Sequence, residues 1–141
     1  MLVRLMYASR ALPGVNQDEL LAILRKSKAN NPALGVTGVL CFGEGIFLQA
    51  LEGGRGAVNT LYNRIVGDAR HTQVELLVYE EISERRFAGW SMGQVNMTRL
   101  NPALLLKYSE KPTLDPFAVS GQVSMALFEE LCATASIVGQ P

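Results

Sequence analysis

Apolar residues cluster in five short segments separated by glycine, proline and polar residues, a pattern typical of β-strands. The predicted strands span residues 2–7, 36–42, 46–52, 74–82 and 90–95. Gly43-Glu44-Gly45 separates the second strand from the third, and turn residues between two apolar runs predict a hairpin. The third segment is apolar apart from Gln49 and Glu52, which predicts a strand buried on both faces.

A first helix is predicted between the first two strands. Asn16 is followed three residues later by Glu19, an arrangement close to a capping box, with Asn in place of Ser or Thr. Helical spacing of apolar residues follows at Leu20, Ile23 and Leu24. The helix is expected to stop at Pro32, because the residue before a proline disfavours the α conformation.

A second helix is predicted between the third and fourth strands and should end near Gly67. Its apolar positions, again at helical spacing, are Val58, Leu61, Tyr62 and Ile65. The element order is therefore β-α-β-β-α-β-β. This order predicts an α+β fold, a ferredoxin-like mixed sheet with an added edge strand and both helices on one face.

The remaining chain has the character of a helical appendage. Asn101 followed by Pro102 is a typical helix start and precedes residues 103–108, and a last helix is predicted over residues 123–136. Its apolar positions include Leu127, Phe128 and Leu131. We therefore expect a main domain over residues 1–97, and a two-helix extension over residues 98–141 that is not an independent domain.

Composition and charge exclude several classes of partner. The 141 residues suffice for one domain, and thirteen basic residues balance thirteen acidic ones, so nucleic acid and anionic membranes are not expected partners. The sequence lacks the roughly 18 consecutive apolar residues of a membrane span. Two cysteines, Cys41 and Cys132, are too few for a disulfide framework and indicate reduced thiols. The expected location is the cytoplasm.

Gln49 is the most informative single residue. A buried primary amide needs polar partners, and leaving it unpaired costs about 1–3 kcal/mol. If the first and third strands are neighbours, Tyr7 and Gln49 share a surface, and Asn30-Asn31 at the end of the first helix lies near the same end of the sheet. Backbone or side-chain partners could satisfy this amide without any ligand.

The chemistry of a hydrolase or a metalloenzyme is missing from the sequence. His71 is the only histidine and is placed in a polar loop, while Asp68 is isolated and Glu80-Glu81 is interpreted as a solvated strand end. Arg85-Arg86 is interpreted as a solvated turn. No metal-ligand cluster and no dinucleotide or Walker motif occurs. A tyrosine beside an amide suits a redox-active phenol next to a bound chromophore better than it suits group transfer.

Several segments, in their order along the chain, resemble the BLUF family, blue-light sensors using FAD. They are NNPALGVTGVLCF at 30–42, GIFLQALEG at 45–53, RI at 64–65, DARH at 68–71 and RRFAGWSM at 85–92. The resemblance extends from residue 2 to about residue 95. The tail, with LLKYS at 105–109, resembles short BLUF proteins that lack an attached enzyme domain.

The resemblance implies a role for each matching residue. Tyr7 matches the electron and proton donor, Gln49 the amide that bridges this phenol and the flavin N5 and C4 carbonyl edge, and Asn31 the partner of the C4 carbonyl and N3 edge. Trp90 and Met92 match the pair that relays the signal. The further flavin contacts that it implies are Ile23, Ser27, Asn30, Leu40, Phe47, Arg64, Ile65, Asp68, Arg70 and His71.

One position departs from the pattern, because His71 is followed by Thr72 where many short BLUF proteins carry a second histidine. The resemblance implies a non-enzymatic photoreceptor that binds FAD, or FMN, forms a homo-oligomer and signals through a downstream protein partner. The alternatives are a light-independent flavin-binding protein, including a reductase-type flavoenzyme, and a flavin-free ferredoxin-like interaction module. A thiol-adduct photoreceptor is disfavoured, since Cys41 lies on a predicted strand outside the motif of that class.

Overall fold

The computed structural model describes residues 1–95, 100–134 and 137–138, the last two by their backbone only. The predicted domain boundary at residue 97 and positions 135–136 of the last predicted helix lie outside the described residues. The strands are β1 (Leu2–Ala11), β2 (Thr37–Gly43), β3 (Ile46–Gly54), β4 (His71–Ile82), β5 (Gly93–Val95) and β6 (Ile137–Val138). The helices are α1 (Gln17–Leu34), α2 (Arg55–Val66), α3 (Pro102–Tyr108) and α4 (Gly121–Ala133).

The strands form one mixed sheet in the order β4-β1-β3-β2-β5-β6. The neighbours among β1 to β4 pair antiparallel, whereas β5 runs parallel to β2. This arrangement confirms the predicted α+β, ferredoxin-like fold with an added strand beside β2. The two-residue strand β6, paired with β5, was not predicted.

The two layers of helices lie on opposite faces of the sheet. Helices α1 and α2 cover the face that carries Leu5 and Leu51, and α3 and α4 cover the face that carries Met6 and Leu48. The prediction that the first two helices share one face is confirmed. The apolar positions of α4 pack on the sheet, as expected if the tail has a structural role; they are Leu127, Phe128 and Leu131.

Helix α1 begins as predicted and ends later than predicted. The side chain of Asn16 accepts a hydrogen bond from the backbone N–H of Glu19 at 3.0 Å. The predicted stop at Pro32 is wrong, because the helix continues to Leu34 and closes at Gly35. Gly35 adopts a left-handed φ of 69°, and the N–H of the next residue bonds the Asn31 carbonyl at 3.0 Å, forming a Schellman cap. Pro32 therefore lies within the last turn of the helix, although its nitrogen donates no backbone hydrogen bond.

Three strand boundaries differ from the predictions by three residues or more. Strand β1 extends to Ala11 because its end pairs with the start of β4, where Arg10 faces Thr72 and Ala11 faces His71. His71 therefore begins a strand, and its placement in a loop was wrong. Strand β5 is limited to Gly93–Val95, so Trp90 and Met92 precede the strand instead of lying in it.

Charged groups near the end of β4 form ion pairs with specific partners. Arg4, 3 % exposed, forms ion pairs with Glu52 at 2.8 Å and with Glu80 at 2.7 Å. Glu81 pairs with Arg55. Glu80 and Glu81 are exposed near the end of the edge strand β4, as predicted, and strand pairing places Arg4 directly opposite both Glu52 and Glu80.

The Arg85-Arg86 turn is likewise held to the domain. Arg85 donates to the carbonyl oxygen of Gly35 at 2.7 Å and to the hydroxyl of Thr37 at 3.1 Å. The backbone N–H of Arg86 donates to the Glu52 carboxylate. Arg86 is exposed, as predicted for a solvated turn, whereas Arg85 is half-buried. None of the described helices is both long and apolar enough to cross a lipid bilayer.

Candidate functional site

A partly open cavity of about 250 Å³ lies between α1, α2 and the adjoining face of the sheet. All thirteen predicted cofactor-contacting residues line it, and four further side chains join them. The predicted residues are Tyr7, Ile23, Ser27, Asn30, Asn31, Leu40, Phe47, Gln49, Arg64, Ile65, Asp68, Arg70 and His71. The additional ones are Lys26, Leu34, Leu61 and Met92. Their role in holding a cofactor remains a prediction.

Tyr7 and Gln49 form the polar centre of the cavity. They face one another in the β1–β3 register, and the phenol of Tyr7 donates to Oε1 of Gln49 at 2.6 Å. Each residue is only 4 % exposed. The predicted approach of the two side chains is therefore confirmed. The hydrogen bond joins adjacent strands on the face that α1 and α2 cover.

The other end of the Gln49 amide contacts a sulfur atom. Its Nε2 donates to Sδ of Met92 at 3.3 Å, and a thioether is a weak acceptor. The amide is thus strongly bonded at its oxygen and weakly bonded at its nitrogen. A stronger acceptor than the Met92 sulfur would therefore form a more favourable hydrogen bond with Nε2.

Asn31 supplies a second buried amide at the end of α1. It is 2 % exposed, and its Nδ2 donates to the backbone carbonyl of Ser91 at 2.8 Å. Because α1 extends through Pro32, Asn31 keeps a helical backbone conformation, which fixes the position of its Cβ atom. Asn31 also ties α1 to the chain segment that carries Met92.

Burial raises the pKa of the Tyr7 phenol well above its ordinary value, and the nearby Tyr62 and Asp68 raise it further. Since the shift favours the neutral form, Tyr7 holds its proton at physiological pH and acts as the donor toward Gln49. The ring of Tyr62 lies 5.8 Å from that of Tyr7, centroid to centroid. The phenol is thus a protonated group in a largely apolar site.

His71 contributes an oriented ring to the wall. Its Nε2 meets the carbonyl oxygen of Ile65 at 2.5 Å, and its Nδ1 lies 2.7 Å from the hydroxyl of Ser9. A carbonyl oxygen only accepts, so Nε2 carries a proton, and in the neutral ring Nδ1 accepts from Ser9. The ring edge also meets the rings of Tyr7 and Phe47, with centroids 6.4 and 6.1 Å away.

An ion pair and further cations lie where the cavity meets solvent. Asp68 accepts from the Arg70 guanidinium at 2.6 Å, and this hydrogen bond is the main reason that the pKa of Asp68 falls to about 2. Arg64 and Lys26 add positive charge to the same lining. This rim suits an anionic group such as a phosphate.

The described residues offer a poor setting for metal or thiol chemistry. Within residues 1–95, 100–134 and 137–138, no three His, Cys, Asp or Glu side chains are grouped closely enough to hold a metal ion. Cys41 belongs to the apolar cluster on the opposite face of the sheet, and burial raises the pKa of its thiol to about 12. A cavity-facing thiolate is therefore not available from this residue.

The cavity has the features that a flavin requires. Ile23 on α1 and Ile65 on α2 provide apolar walls, and Leu40 and Phe47 provide an apolar floor. The weakly bonded nitrogen of the Gln49 amide could donate to the polar edge of such a ring, and the basic rim suits phosphate. The donor set therefore fits a planar heterocycle with polar edges and a phosphate-bearing chain.

Sequence reasoning missed Lys26, Leu34 and Leu61 as lining residues, although their spacing carried a signal. On α1 the lining positions are 23, 26, 27, 30, 31 and 34, and on α2 they are 61, 64 and 65. Both sets recur at helical spacing, so extending the predicted face by three or four residues would have found them. Trp90, predicted as a relay, does not line the cavity and packs against the apolar cluster on the other face.

Comparison with known proteins places the chain in a family. A family model described as sensors of blue-light using FAD, BLUF, matches residues 2–93. Photoactivated adenylate cyclase subunit beta of Euglena longa is 37 % identical over 92 residues, which are 64 % of this chain and 11 % of that protein. The chain therefore spans about a tenth of the length of this curated relative.

Solved structures give the same assignment. BlsA in its photo-activated state has a TM-score of 0.82 and 32 % identity, covering 100 % of this chain and 99 % of that chain. The dark-state structure of BlrB has a TM-score of 0.80 and 31 % identity, covering 95 % and 96 %. Klebsiella pneumoniae BlrP1 with FMN and cyclic diGMP has a TM-score of 0.68 and 32 % identity, covering 73 % and 28 %. This chain belongs to the BLUF family of blue-light sensors that use FAD.

Proposed function

We propose that this protein is a blue-light photoreceptor that binds a flavin noncovalently in the cavity between α1 and α2. The observation that carries the proposal is the chain of hydrogen bonds from Tyr7 through Gln49 to Met92 in the cavity lining. Tyr7 keeps its phenolic proton, the Gln49 amide can turn over, and the Met92 sulfur is only a weak acceptor. Together these properties allow the hydrogen bonds of Gln49 to switch between two arrangements. Family membership supports the same function.

The lining divides into groups suited to different parts of the cofactor. Ile23 and Ile65 would hold the ring from two sides, and the amides of Asn31 and Gln49 would bind its polar edge. The cationic rim would bind phosphate. FAD is the expected cofactor from the family description, and FMN is the alternative, since one similar structure carries it.

Bound there, a flavin would supply absorption of blue light and, when excited, an electron acceptor. Tyr7 would be the donor of one electron and of its phenolic proton, and the 2.6 Å hydrogen bond offers that proton a route to Oε1 of Gln49. Gln49 passes a proton on. One electron and one proton would later return to Tyr7, so the cycle would consume no external reductant.

Gln49 ends the cycle with its amide rotated or in a changed tautomer. A rotated amide directs its oxygen toward Sδ of Met92, and two acceptors facing each other repel. Met92 must therefore shift when Gln49 rotates. A hydrogen bond contributes a net free energy of only about 0.5–1.5 kcal/mol. Its rearrangement can therefore change the conformation only of a segment whose two states are already nearly equal in free energy.

The output is proposed to be a change in protein contacts instead of catalysis by this chain. The cyclase relatives are about ten times as long as the matched region, so their catalytic activity is not carried over. A homo-oligomer and a downstream protein partner are the proposed recipients of the signal. The chain segment carrying Trp90 and Met92, together with the tail helices, is the proposed element that changes.

The test is an absorption spectrum of the purified protein in darkness, after blue light, and after a return to darkness. A flavin spectrum that shifts to the red without bleaching and then recovers would support the proposal. A flavin spectrum that light does not change would indicate a light-independent flavin protein, and a colourless preparation that binds no added flavin would indicate an interaction module. Either of these two outcomes would overturn the proposed function.

A further inference from the structure

The connection between β4 and β5 passes from one face of the sheet to the other. Phe87 belongs to the apolar cluster on the α3 and α4 face, whereas Met92 belongs to the cluster on the α1 and α2 face. Both are essentially unexposed, at 0 % and 1 %. Residues 86–92, named here the crossing segment, therefore join the interior beside the tail to the interior beside the cavity.

A buried carboxylate holds the start of the crossing segment. Glu52 is 0 % exposed, and its Oε1 accepts from the backbone N–H of Phe87 at 2.7 Å. The N–H of Arg86 lies 3.1 and 3.0 Å from the two carboxylate oxygens. Oε2 also accepts from Nε of Arg4 at 2.8 Å. Both oxygens of Glu52 thus face donors, and two of the donors belong to the crossing segment.

Further hydrogen bonds to the backbone fix the crossing segment between Glu52 and the cavity. The N–H of Trp90 donates to the carbonyl of Phe87 at 3.2 Å, and the Trp90 carbonyl accepts from Gly38 of β2 at 3.0 Å. The next carbonyl, that of Ser91, accepts from Asn31 at 2.8 Å. Met92 follows and places its sulfur 3.3 Å from Nε2 of Gln49. The position of that sulfur therefore depends on a series of fixed points that begins at Glu52.

The same anchor lies beside the tail. The ring of Phe87 meets the ring of Phe128 on α4, edge to face, with centroids 6.2 Å apart. The guanidinium of Arg86 forms an ion pair with Glu129 of the same helix. A movement of the crossing segment would act on α4 directly. The Glu52 carboxylate thus holds the crossing segment, which carries Met92, the partner of Gln49, and contacts the tail helix α4.

We propose that Glu52 is a positioning residue for the light switch, acting through the crossing segment to hold Met92 against Gln49. The inference rests on the proposed function. A purely structural role, in which Glu52 only neutralises the buried Arg4, is the competing explanation. The two differ in what they predict for Met92, because neutralising Arg4 does not require the N–H groups of Arg86 and Phe87.

Glu52→Gln is the sharpest variant, and Glu80→Gln is its matched control. Glutamine replaces one acceptor oxygen by an NH₂ group, so one of the donors around position 52 must face another donor. Glu80 binds the same Arg4 from a half-exposed position. The control therefore removes an equal charge from Arg4 and leaves the anchor of the crossing segment intact.

The readout is the rate at which the red-shifted absorption returns to its dark form. The Glu52→Gln variant is expected to recover roughly threefold to tenfold more slowly, because Met92 no longer favours the dark orientation of Gln49. Glu80→Gln should match the unaltered protein. In a Met92→Leu background, Glu52→Gln should have almost no additional effect on the recovery rate, since both substitutions act on the same contact, that of Met92 with Gln49.

Equal recovery rates for the two glutamine variants, or an effect of Glu52→Gln that adds in full to that of Met92→Leu, would overturn the inference. An unaltered protein without any light-induced shift would overturn the proposed function itself, so the two failures are distinguishable. Amide hydrogen exchange on the unaltered protein keeps the test valid if Glu52→Gln fails to fold. The crossing segment should exchange faster under steady blue light than in darkness, and unchanged exchange would contradict the inference.

Discussion

The phenolic oxygen of Tyr7 and Oε1 of Gln49 lie 2.6 Å apart because the two residues are direct partners in the pairing of β1 with β3. The contact depends on strand register, since a slip of one residue would turn one of the two side chains to the opposite face of the sheet. The central hydrogen bond of the proposed switch is therefore a property of the sheet.

The close approach of β2 to β3 should not tolerate a side chain at Gly38. A Cβ there would lie 2.2 Å from the carbonyl oxygen of Ala50 on the adjacent strand. We expect Gly38→Ala to lower the free energy of unfolding by about 1–3 kcal/mol. Gly56→Ala is the control, since a Cβ in that α2 position meets nothing within 4 Å and should stabilise the protein by up to about 1 kcal/mol. Urea denaturation of both variants checks the prediction, which a fully stable Gly38→Ala protein would refute.

Arg64 should distinguish flavins by their phosphates. Arg64→Gln removes a cation from the cavity lining, so affinity for FMN and FAD should fall by roughly threefold to tenfold while riboflavin binding stays unchanged. Titration of the flavin-free protein with each compound, followed by flavin fluorescence, measures this. Arg25→Gln is the control, because Arg25 is exposed on α1 and does not line the cavity. An equal loss for all three flavins would show that Arg64 does not act on phosphate.

The Asp68–Arg70 pair should add to stability in a defined pH range. Its hydrogen bond with Arg70 lowers the pKa of Asp68 from 3.8 to about 2, so the unfolded chain binds the proton more readily than the folded protein does. The resulting stability is present above about pH 4 and is lost as the pH falls toward 2. Thermal unfolding between pH 2 and pH 5 should show a shallower pH dependence in Asp68→Asn than in the unaltered protein. Identical slopes would mean that the pair does not couple to folding.

The tail should contribute to stability more than to flavin binding. Phe128 is fully buried against the face of the sheet opposite the cavity, and Phe128→Ala should lower the free energy of unfolding by roughly 3–5 kcal/mol. Leu106→Ala, at a position 51 % exposed on α3, should change it by less than about 0.5 kcal/mol. Denaturant unfolding gives both values, and flavin titration should show nearly unchanged affinity. A Phe128→Ala protein as stable as the control would contradict the packing of α4.

Patterns that lie within one element were predictable from the sequence. Period-two alternation placed Tyr7 and Gln49 on one surface, and helical spacing placed Ile23 and Ile65 on the apolar faces of their helices. These predictions succeeded because the side-chain direction follows directly from the backbone repeat. That Ile23 and Ile65 line the cavity was implied only by the resemblance to BLUF proteins. The order of strands and turns was sufficient for the fold.

Interactions between residues far apart in sequence were not predictable in the same way. Glu52 looked like the polar end of a strand, and only the folded chain brings Arg4 and the Phe87 N–H to its carboxylate. Helix α1 continues through Pro32 to a cap at Gly35, which shows that the conformational bias of a residue before proline is a preference that the folded chain overrides here. Strand β5 is short because the preceding residues serve as contacts for α1 and β2 instead of pairing along a strand.

The light-induced change in absorption of Tyr7→Phe, measured beside that of the unaltered protein, tests the central claim most directly. The substitution removes the hydroxyl that donates to Gln49 and keeps the ring, so flavin should remain bound. Tyr62→Phe removes the hydroxyl of the neighbouring ring, whose centroid lies 5.8 Å away, and serves as the control. We expect a reversible red shift in the unaltered protein and in Tyr62→Phe, and none in Tyr7→Phe. A Tyr7→Phe protein that shifts and recovers like the unaltered one would contradict the account.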